Sequence, residues 1–285
     1  MADGVESVRQ FCLRLLEAGD LATKLARPQG LSGAVLSDAE PGPAVNIDRP
    51  AREPALAMGA GAPALPRPGA LHAPEARALC LARFAHHELM AVELFAWALL
   101  RWPESPPELR RGWLAALADE QRHCRLYLDP LRGLGSGLHE HILSDYFWKH
   151  VPAISASAHG PRAFLSAVGL TLEQANLDFS LLYRDAFREA GDEASARACQ
   201  TVHDEEIGHV GLAATWMARL GDPQQSETER YLEAVPFPLS AARAKARRFD
   251  AAARRSAGLG EDFIDHVRRA RSSQEALPGR PPEKR

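Results

Sequence analysis

The chain has 285 residues, of which 46% are hydrophobic and 25% charged, and its formal net charge is −3 at pH 7. A chain of this length and composition can form one large or two small domains around a substantial buried core. The small net charge excludes a strong overall attraction to nucleic acid or to an anionic membrane surface.

The cysteines and the N-terminal residues indicate the compartment. Cys12, Cys80, Cys124 and Cys199 form no CxxC pair, which favours free thiols in a reducing cytoplasm. The N-terminal segment carries acids where a secretion signal requires positive charge. No segment approaches the ~18 consecutive apolar residues of a membrane span. We therefore expect a soluble, cytoplasmic protein with no membrane partner.

The N-terminal region, residues 1–74, divides into two parts. Residues 1–26 predict one amphipathic helix. Residues 27–74 are rich in Pro, Gly and Ala and lack a helical period. This composition predicts an extended arm, either docked on the surface or partly disordered, with a plain linker as the alternative.

Four long helices are predicted in the region 75–221. Proline and glycine positions place them at about 74–102, 107–128, 161–190 and 193–220, with one or two short helices in the long connection between the second and the third. Two antiparallel hairpins joined by one long crossover is the connectivity of a ferritin-like four-helix bundle. Few β-branched runs occur, so the predicted fold is all-α without a sheet.

The C-terminal extension, residues 222–285, predicts one or two short helices packed against the bundle. From Ala241 onward it carries 12 Lys and Arg against 6 Asp and Glu. We expect a solvated basic tail, with RNA or an acidic partner as the alternative occupant.

Each long helix carries one glutamate on a stripe of apolar residues at three- and four-residue spacing. These are Glu88, Glu120, Glu173 and Glu206, and histidines follow two of them in ExxH motifs, as His123 and His209. Glu88 precedes Glu120 by 32 residues, and Glu173 precedes Glu206 by 33. The hairpins therefore look like copies of one unit, which would bring all six side chains to one level of the bundle.

Burying four carboxylates without cations would cost several kcal/mol each. Two divalent cations would neutralise them, and carboxylate with imidazole suits iron or manganese. A Glu from each of two helices with Glu-x-x-His from the other two is the ligand set of di-iron and di-manganese carboxylate bundles. The alternative is that these acids form buried salt bridges or face solvent. Cys124 is interpreted as a core residue.

Other polar residues near the motifs are weaker candidates. Asp119 and Glu205 each precede an ExxH glutamate and would accept the second ring N–H of a metal-bound histidine, unless they face solvent. His203 lies one turn before Glu206, either as a supplementary ligand, beside the ligands, or at the surface. Glu93 lies outside the ligand set by its helical phase.

Several motifs resemble a known family. The segments FAHHELMAVELFAWAL, ADEQRHCRLYLDPLRGLG, AGDEASARACQTVHDEEIGHVGLA and RRFDAAARRSAGLGEDF resemble a largely uncharacterised bacterial family with a ferritin-like domain, near the tRNA-modifying (isopentenyladenosine) hydroxylases. The likeness begins at about residue 48 and implies the same six metal ligands. TLEQANLD departs from the pattern, because Gln174 and Asn176 lie beside Glu173.

These features favour a non-haem di-iron, or di-manganese, oxidase or monooxygenase. It would use O₂, an external reductant, and a small molecule or modified nucleoside as substrate. The alternatives are a ferroxidase or iron-handling protein, and a non-catalytic helical module that binds RNA or protein and has a vestigial site. A hydroxylase acting on tRNA would combine the first and third of these functions and is a further alternative, and a homodimer is a further expectation.

Overall fold

The computed structural model of the protein describes residues 6–28 and 36–271. The described chain is all-α and is built from packed helix pairs, as the sequence predicts. It divides into two compact units, one formed by Met1–Val151 with Ala186–Ala198 and the other by Pro152–Asp185 with Cys199–Arg285. No helix within the two described ranges has the length and apolar character to cross a membrane.

The N-terminal segment of the first unit forms two helices, α1 (Val8–Glu17) and α2 (Leu21–Leu25). The prediction of one helix over residues 1–26 is therefore wrong, and residues 1–5 lie outside the described chain. Ala18 has extended backbone angles, so the first helix ends there. The carboxylate of Asp20 then accepts a hydrogen bond from the backbone N–H of Thr23 at 2.8 Å, which caps the second helix.

The first long hairpin consists of α3 (Pro74–Arg101) and α4 (Pro107–Gly133). The sequence placed the end of the second helix at about Leu128, but α4 continues through Pro130. Pro130 has no N–H to donate to the i−4 carbonyl, but the helix continues past it, and Leu131 in the last turn is fully buried. The N–H of Leu134 donates to the carbonyl oxygens of Pro130 and Leu131.

The described part of the arm, residues 36–73, is docked on the helices of the first unit. The N–H of Val45 donates to the carbonyl of Leu100, and the indole N–H of Trp97 donates to the carbonyl of Ile47. Short strand β1 (Met58–Gly59) pairs in parallel with β2 (Leu143–Ser144). The prediction of no sheet is therefore wrong for these four residues.

One uninterrupted helical stretch runs through the third predicted helix. It begins as α6 (Pro161–Phe164), becomes a π-helix over Leu165–Glu173, and continues as α7 (Gln174–Glu189). A short α5 (Val151–Ala156) precedes it. Gly191 then adopts a positive φ of 76° in the turn before α8 (Glu193–Leu220), as the Gly-Asp pair predicts.

The C-terminal segment of the second unit contains α9 (Glu227–Ala234), α10 (Ala251–Ser256) and α11 (Glu261–Arg269), which are three short helices where the sequence predicts one or two. Asp178 of α7 and Arg254 of α10 form an ion pair with both side chains fully buried. Asp178 also accepts hydrogen bonds from the N–H groups of Ala246 and Asp250. The basic residues of the tail beyond 271 lie outside the described chain.

Candidate metal centre

On α3 and α4 the predicted stripes face the interior. Glu88 is 4% exposed, and its stripe neighbours Leu81, Ala85, Val92, Phe95 and Leu99 are all buried. Glu120 and His123 have no exposed surface on α4. Nδ1 of His123 lies 3.2 Å from Oε2 of Glu120, so the two side chains of the ExxH motif point to the same place. This convergence follows from their spacing of nearly one helical turn.

Glu173 is the last residue of the nine-residue π-helix. Hydrogen bonds in a π-helix join residues five apart, and such turns are rare and frequent at functional sites. The hydroxyl of Thr171 donates to the carbonyl oxygen of Ser166 at 2.8 Å and lies 2.8 Å from the hydroxyl of Tyr231 on α9. Glu173 is buried at the end of this π-helix.

A close approach of two helices accompanies the π-helix. A Cβ atom added to Gly169 would lie 2.3 Å from Cβ of Ala213 on α8. Only glycine therefore permits this spacing.

On α8 the ExxH motif repeats the geometry seen on α4. Glu206 is fully buried and His209 is 7% exposed. Nδ1 of His209 lies 3.2 Å from Oε2 of Glu206. Oε1 of Glu206 accepts a hydrogen bond from Nδ2 of Asn176 at 3.1 Å. The two oxygens of Glu206 therefore have different neighbours, and its carboxylate is fixed in orientation.

The six predicted ligands fall into two overlapping groups of buried side chains. In the first, one ligand atom from each of Glu88, Glu120, His123 and Glu206 lies within 4.8 Å of the others. In the second, the same holds for Glu120, Glu173, Glu206 and His209. Either group can hold a metal ion, because each offers three carboxylates and one imidazole. Glu120 and Glu206 belong to both groups.

A comparison with two other buried acids shows what is special about Glu206. Glu93 is fully buried and forms ion pairs with Lys24 and Arg52, and Asp178 forms one with Arg254. Within the described ranges, no lysine or arginine forms an ion pair with Glu206. Its partners are the amide of Asn176 and the ring of His209. A buried carboxylate needs a compensating cation, so these surroundings fit a metal ion.

A family model with the description "Protein of unknown function (DUF455)" matches residues 15–265. The chain belongs to the DUF455 family. No curated protein and no solved structure matches it. The matched range of the DUF455 model includes both groups of candidate ligands. The resemblance to ferritin-like hydroxylases stays a prediction, because the family description names no activity.

The weaker candidates of this DUF455 protein lie outside both ligand groups. Asp119 forms an exposed ion pair with Arg122, and Glu205 is half-buried. Nδ1 of His203 lies 3.0 Å from Oδ1 of Asp204, and its Nε2 lies 3.4 Å from Oδ2 of Asp250. His203 therefore contacts the C-terminal segment. A role for Asp119 or Glu205 beside a metal-bound histidine stays a prediction.

Cys124 directly follows His123 but is buried and donates a hydrogen bond from Sγ to the carbonyl oxygen of Ala85 at 3.2 Å. Burial raises the pKa of the Cys124 thiol well above its usual value. Cys124 is fully buried and belongs to neither ligand group, so it is a core residue, as its sequence position indicates.

Sequence reasoning did not identify Asn176 as a partner of the site. The residue was notable only as a departure from the family pattern next to Glu173. Its position three residues after Glu173 places it one turn further along the helical stretch, where it reaches Glu206. The spacing from Glu173 indicates that Asn176 lies near the site. It does not identify the partner, because Glu206 on α8 is 30 residues away in the sequence.

Proposed function

We propose that this DUF455 protein is a non-haem di-iron carboxylate oxidoreductase that uses O₂. The observation that carries the proposal is the pair of four-residue ligand groups sharing Glu120 and Glu206. Two groups with two common carboxylates fit two metal ions, each held by one group. The set matches the ligand pattern of di-iron and di-manganese carboxylate proteins.

The proposed roles of the six residues follow from the groups to which they belong. Glu120 and Glu206 would help to hold both ions, since each occurs in both groups. Glu88 and His123 would complete one coordination sphere, and Glu173 and His209 the other. Four carboxylates balance the charge of two divalent ions, while the two imidazoles bind as neutral ligands.

When bound, two iron(II) ions would supply electrons to O₂. The protein's own residues would hold the ions and exclude water. Trp113, Leu117, Leu177 and Val202 share the stripes of the ligands and are fully buried. These apolar side chains lower the local dielectric constant and leave the carboxylates as the main polar groups. Asn176 would keep one oxygen of Glu206 in a fixed orientation.

The proposed partners are O₂, an external reductant and an organic substrate. The resemblance to ferritin-like hydroxylases supports a monooxygenase, with a small molecule or modified nucleoside as substrate. Manganese would occupy the same ligand set, so metal identity is a question for the experiment.

The test compares Glu206→Gln with Glu108→Gln in the full chain. Both residues are glutamates on long helices, but Glu108 is exposed and pairs with Arg111. Each protein is loaded anaerobically with iron(II) and then mixed with O₂ and ascorbate. We expect O₂ uptake above that of the same iron in buffer for the parent and for Glu108→Gln, and its loss for Glu206→Gln.

Two results would contradict the proposal. Equal O₂ uptake by Glu206→Gln and the parent would show that the ligand groups are not involved. Uptake that stops after a single oxidation of the iron, despite the reductant, would indicate iron itself as the substrate. A parallel series with manganese separates the two metals.

A further inference from the structure

A cleft in the first unit is lined by none of the six candidate ligands, although His87 in its wall directly precedes Glu88. Its volume is about 360 Å³, and the arm, α3 and the segment after β2 line it. The arm contributes residues 59–65, whose side chains are small apart from Leu65. Arg83, His87, Tyr146 and Lys149 project from the other walls.

The backbone around the cleft is held in place by regular hydrogen bonding. Strand β1 enters the loop 59–65, and its partner β2 leads directly into Tyr146. Lys149 lies within a short 3₁₀ helix between two buried residues, Trp148 and His150. The walls are therefore formed before a ligand arrives, and a preformed site loses less entropy on binding.

Two positive charges of the cleft lack acidic partners. Within the described chain, neither Arg83 nor Lys149 forms an ion pair with a carboxylate. Arg83 donates a hydrogen bond to the carbonyl of Pro63 in the arm, and Nζ of Lys149 lies 4.4 Å from the ring centroid of Tyr146. Asp145 also lines the cleft, but its Oδ2 lies 3.3 Å from the guanidinium of Arg49.

The environment of Arg83 makes its uncompensated charge costly. Burial lowers the pKa of the Arg83 guanidinium below its usual value, and no carboxylate offsets this effect. The fully buried carboxylates of Glu93 and Asp178 each form an ion pair, whereas the half-buried guanidinium of Arg83 donates to the carbonyl of Pro63. An anion in the cleft would supply the missing compensation for Arg83.

The cleft also offers an aromatic wall. Tyr146 and His87 have ring centroids 6.3 Å apart, and His87 stacks on Phe147 at 5.1 Å. Flat rings beside a guanidinium suit a ligand that combines a ring with an oxyanion.

We propose that this cleft binds the oxyanion group, phosphate or carboxylate, of a small ring-containing molecule, through Arg83 and Lys149. Arg83 forms the inner contact, because it is the less exposed of the two cations. Lys149 closes the outer side, while Tyr146 contacts the ring. This binding does not use the metal ligands and does not rest on the oxidative function.

The test measures binding of phenyl phosphate, benzoate, inorganic phosphate and phenol to the full chain by titration calorimetry at constant ionic strength. We expect phenyl phosphate or benzoate to bind and neutral phenol not to bind. Whichever of phenyl phosphate and benzoate binds more tightly shows whether the cleft prefers a phosphate or a carboxylate. Arg83→Gln and Lys149→Gln should each lower the affinity for the anion by about tenfold or more.

Arg111→Gln is the matched control, because it removes an exposed arginine of α4 that pairs with Glu108. It should leave binding unchanged. Lys149→Gln keeps the test decisive if Arg83→Gln fails to fold, since Lys149 is exposed. The proposal is overturned if no anion binds, if phenol binds equally well, or if Arg111→Gln weakens binding as much as Lys149→Gln. Loss of metal binding in Glu206→Gln with unchanged anion binding separates this site from the proposed metal centre.

Discussion

Asn176 donates a hydrogen bond from its side-chain amide to Oε1 of Glu206, and the other oxygen of Glu206 lies 3.2 Å from His209. The buried carboxylate thus has a neutral donor on one side and a candidate ligand on the other. Because Glu206 belongs to both ligand groups, this hydrogen bond positions a carboxylate that the proposed ions would share. We therefore expect Asn176 to position Glu206 in the proposed site.

Asn176→Ala should lower metal affinity without removing any ligand. Loss of a hydrogen bond to a metal ligand commonly costs about 10–100-fold in affinity. Competition with a chelator of known affinity measures the change. The exposed Asn46 of the arm provides the control, and Asn46→Ala should bind metal as the parent does. Equal affinity of the two variants would show that the contact does not position Glu206.

Glu93→Gln should destabilise the fold but leave the metal stoichiometry unchanged. The carboxylate of Glu93 accepts hydrogen bonds from Arg52 and from the indole of Trp148, and lies 2.9 Å from Nζ of Lys24. Removing one partner of a buried ion pair costs about 3–5 kcal/mol, because the other charge stays buried. Urea denaturation measures the free energy of unfolding.

Glu104→Gln is the control for this variant, since Glu104 is exposed. It should change the free energy of unfolding by no more than about 0.5 kcal/mol. A change in metal stoichiometry for Glu93→Gln in folded protein would mean that Glu93 acts in the site. A loss of stability as small as that of the control would mean that the buried ion pairs contribute little.

Gly169→Ala should destabilise the protein and weaken metal binding together. The added methyl group would overlap Ala213, and overpacking of this kind costs about 1–3 kcal/mol. Relief of the overlap would move the π-helix that ends at Glu173. Thermal denaturation and metal titration of the same sample test both effects.

Gly208→Ala is the matched control on α8, where an added Cβ meets nothing within 4 Å. It should stabilise the helix by about 0.5–1 kcal/mol, since alanine is the better helix former. Combining Gly169→Ala with Ala213→Gly should recover part of the loss. A stability of Gly169→Ala equal to that of Gly208→Ala would contradict the close approach of the two helices.

The stability of the C-terminal segment should depend on pH through His266. Burial, and then the charge of Lys245, lower the pKa of His266 below 6.5. The folded state binds the proton less readily than the unfolded state does. The free energy of unfolding is therefore highest above about pH 6.5 and decreases as the pH falls toward the lowered pKa of His266. His266→Phe should therefore lose less stability than the parent between pH 7.5 and pH 5, as urea denaturation at each pH would show. His139→Phe is the matched control, because His139 is exposed, and its free energy of unfolding should change with pH as that of the parent does.

The sequence was sufficient to predict the long helices and the six candidate ligands for one physical reason. A charged residue on an apolar helical stripe is costly, so Glu88, Glu120, Glu173 and Glu206 stand out in a single sequence. The structure buries all four and brings them into two groups with His123 and His209. Helix periodicity is local information, and it needs no knowledge of the partner helices.

The parts that escaped prediction depend on contacts that are distant in sequence. The π-helix relies on Gly169 against Ala213, and Thr171 beside Tyr231 is separated from its partner by 60 residues. The cations that pair with Glu93 come from the N-terminal helices and the arm. No local period in the sequence encodes such pairings.

The most direct test of the account is the metal content of the full chain, purified without chelator and analysed by mass spectrometry of the elements. We expect about two iron or manganese ions per chain, and the loss of both in Glu206→Ala, because each group contains that residue. The Glu108→Ala variant should retain both. Well-folded parent protein with almost no metal after incubation with iron(II) or manganese(II), or an unchanged metal content in Glu206→Ala, would contradict it.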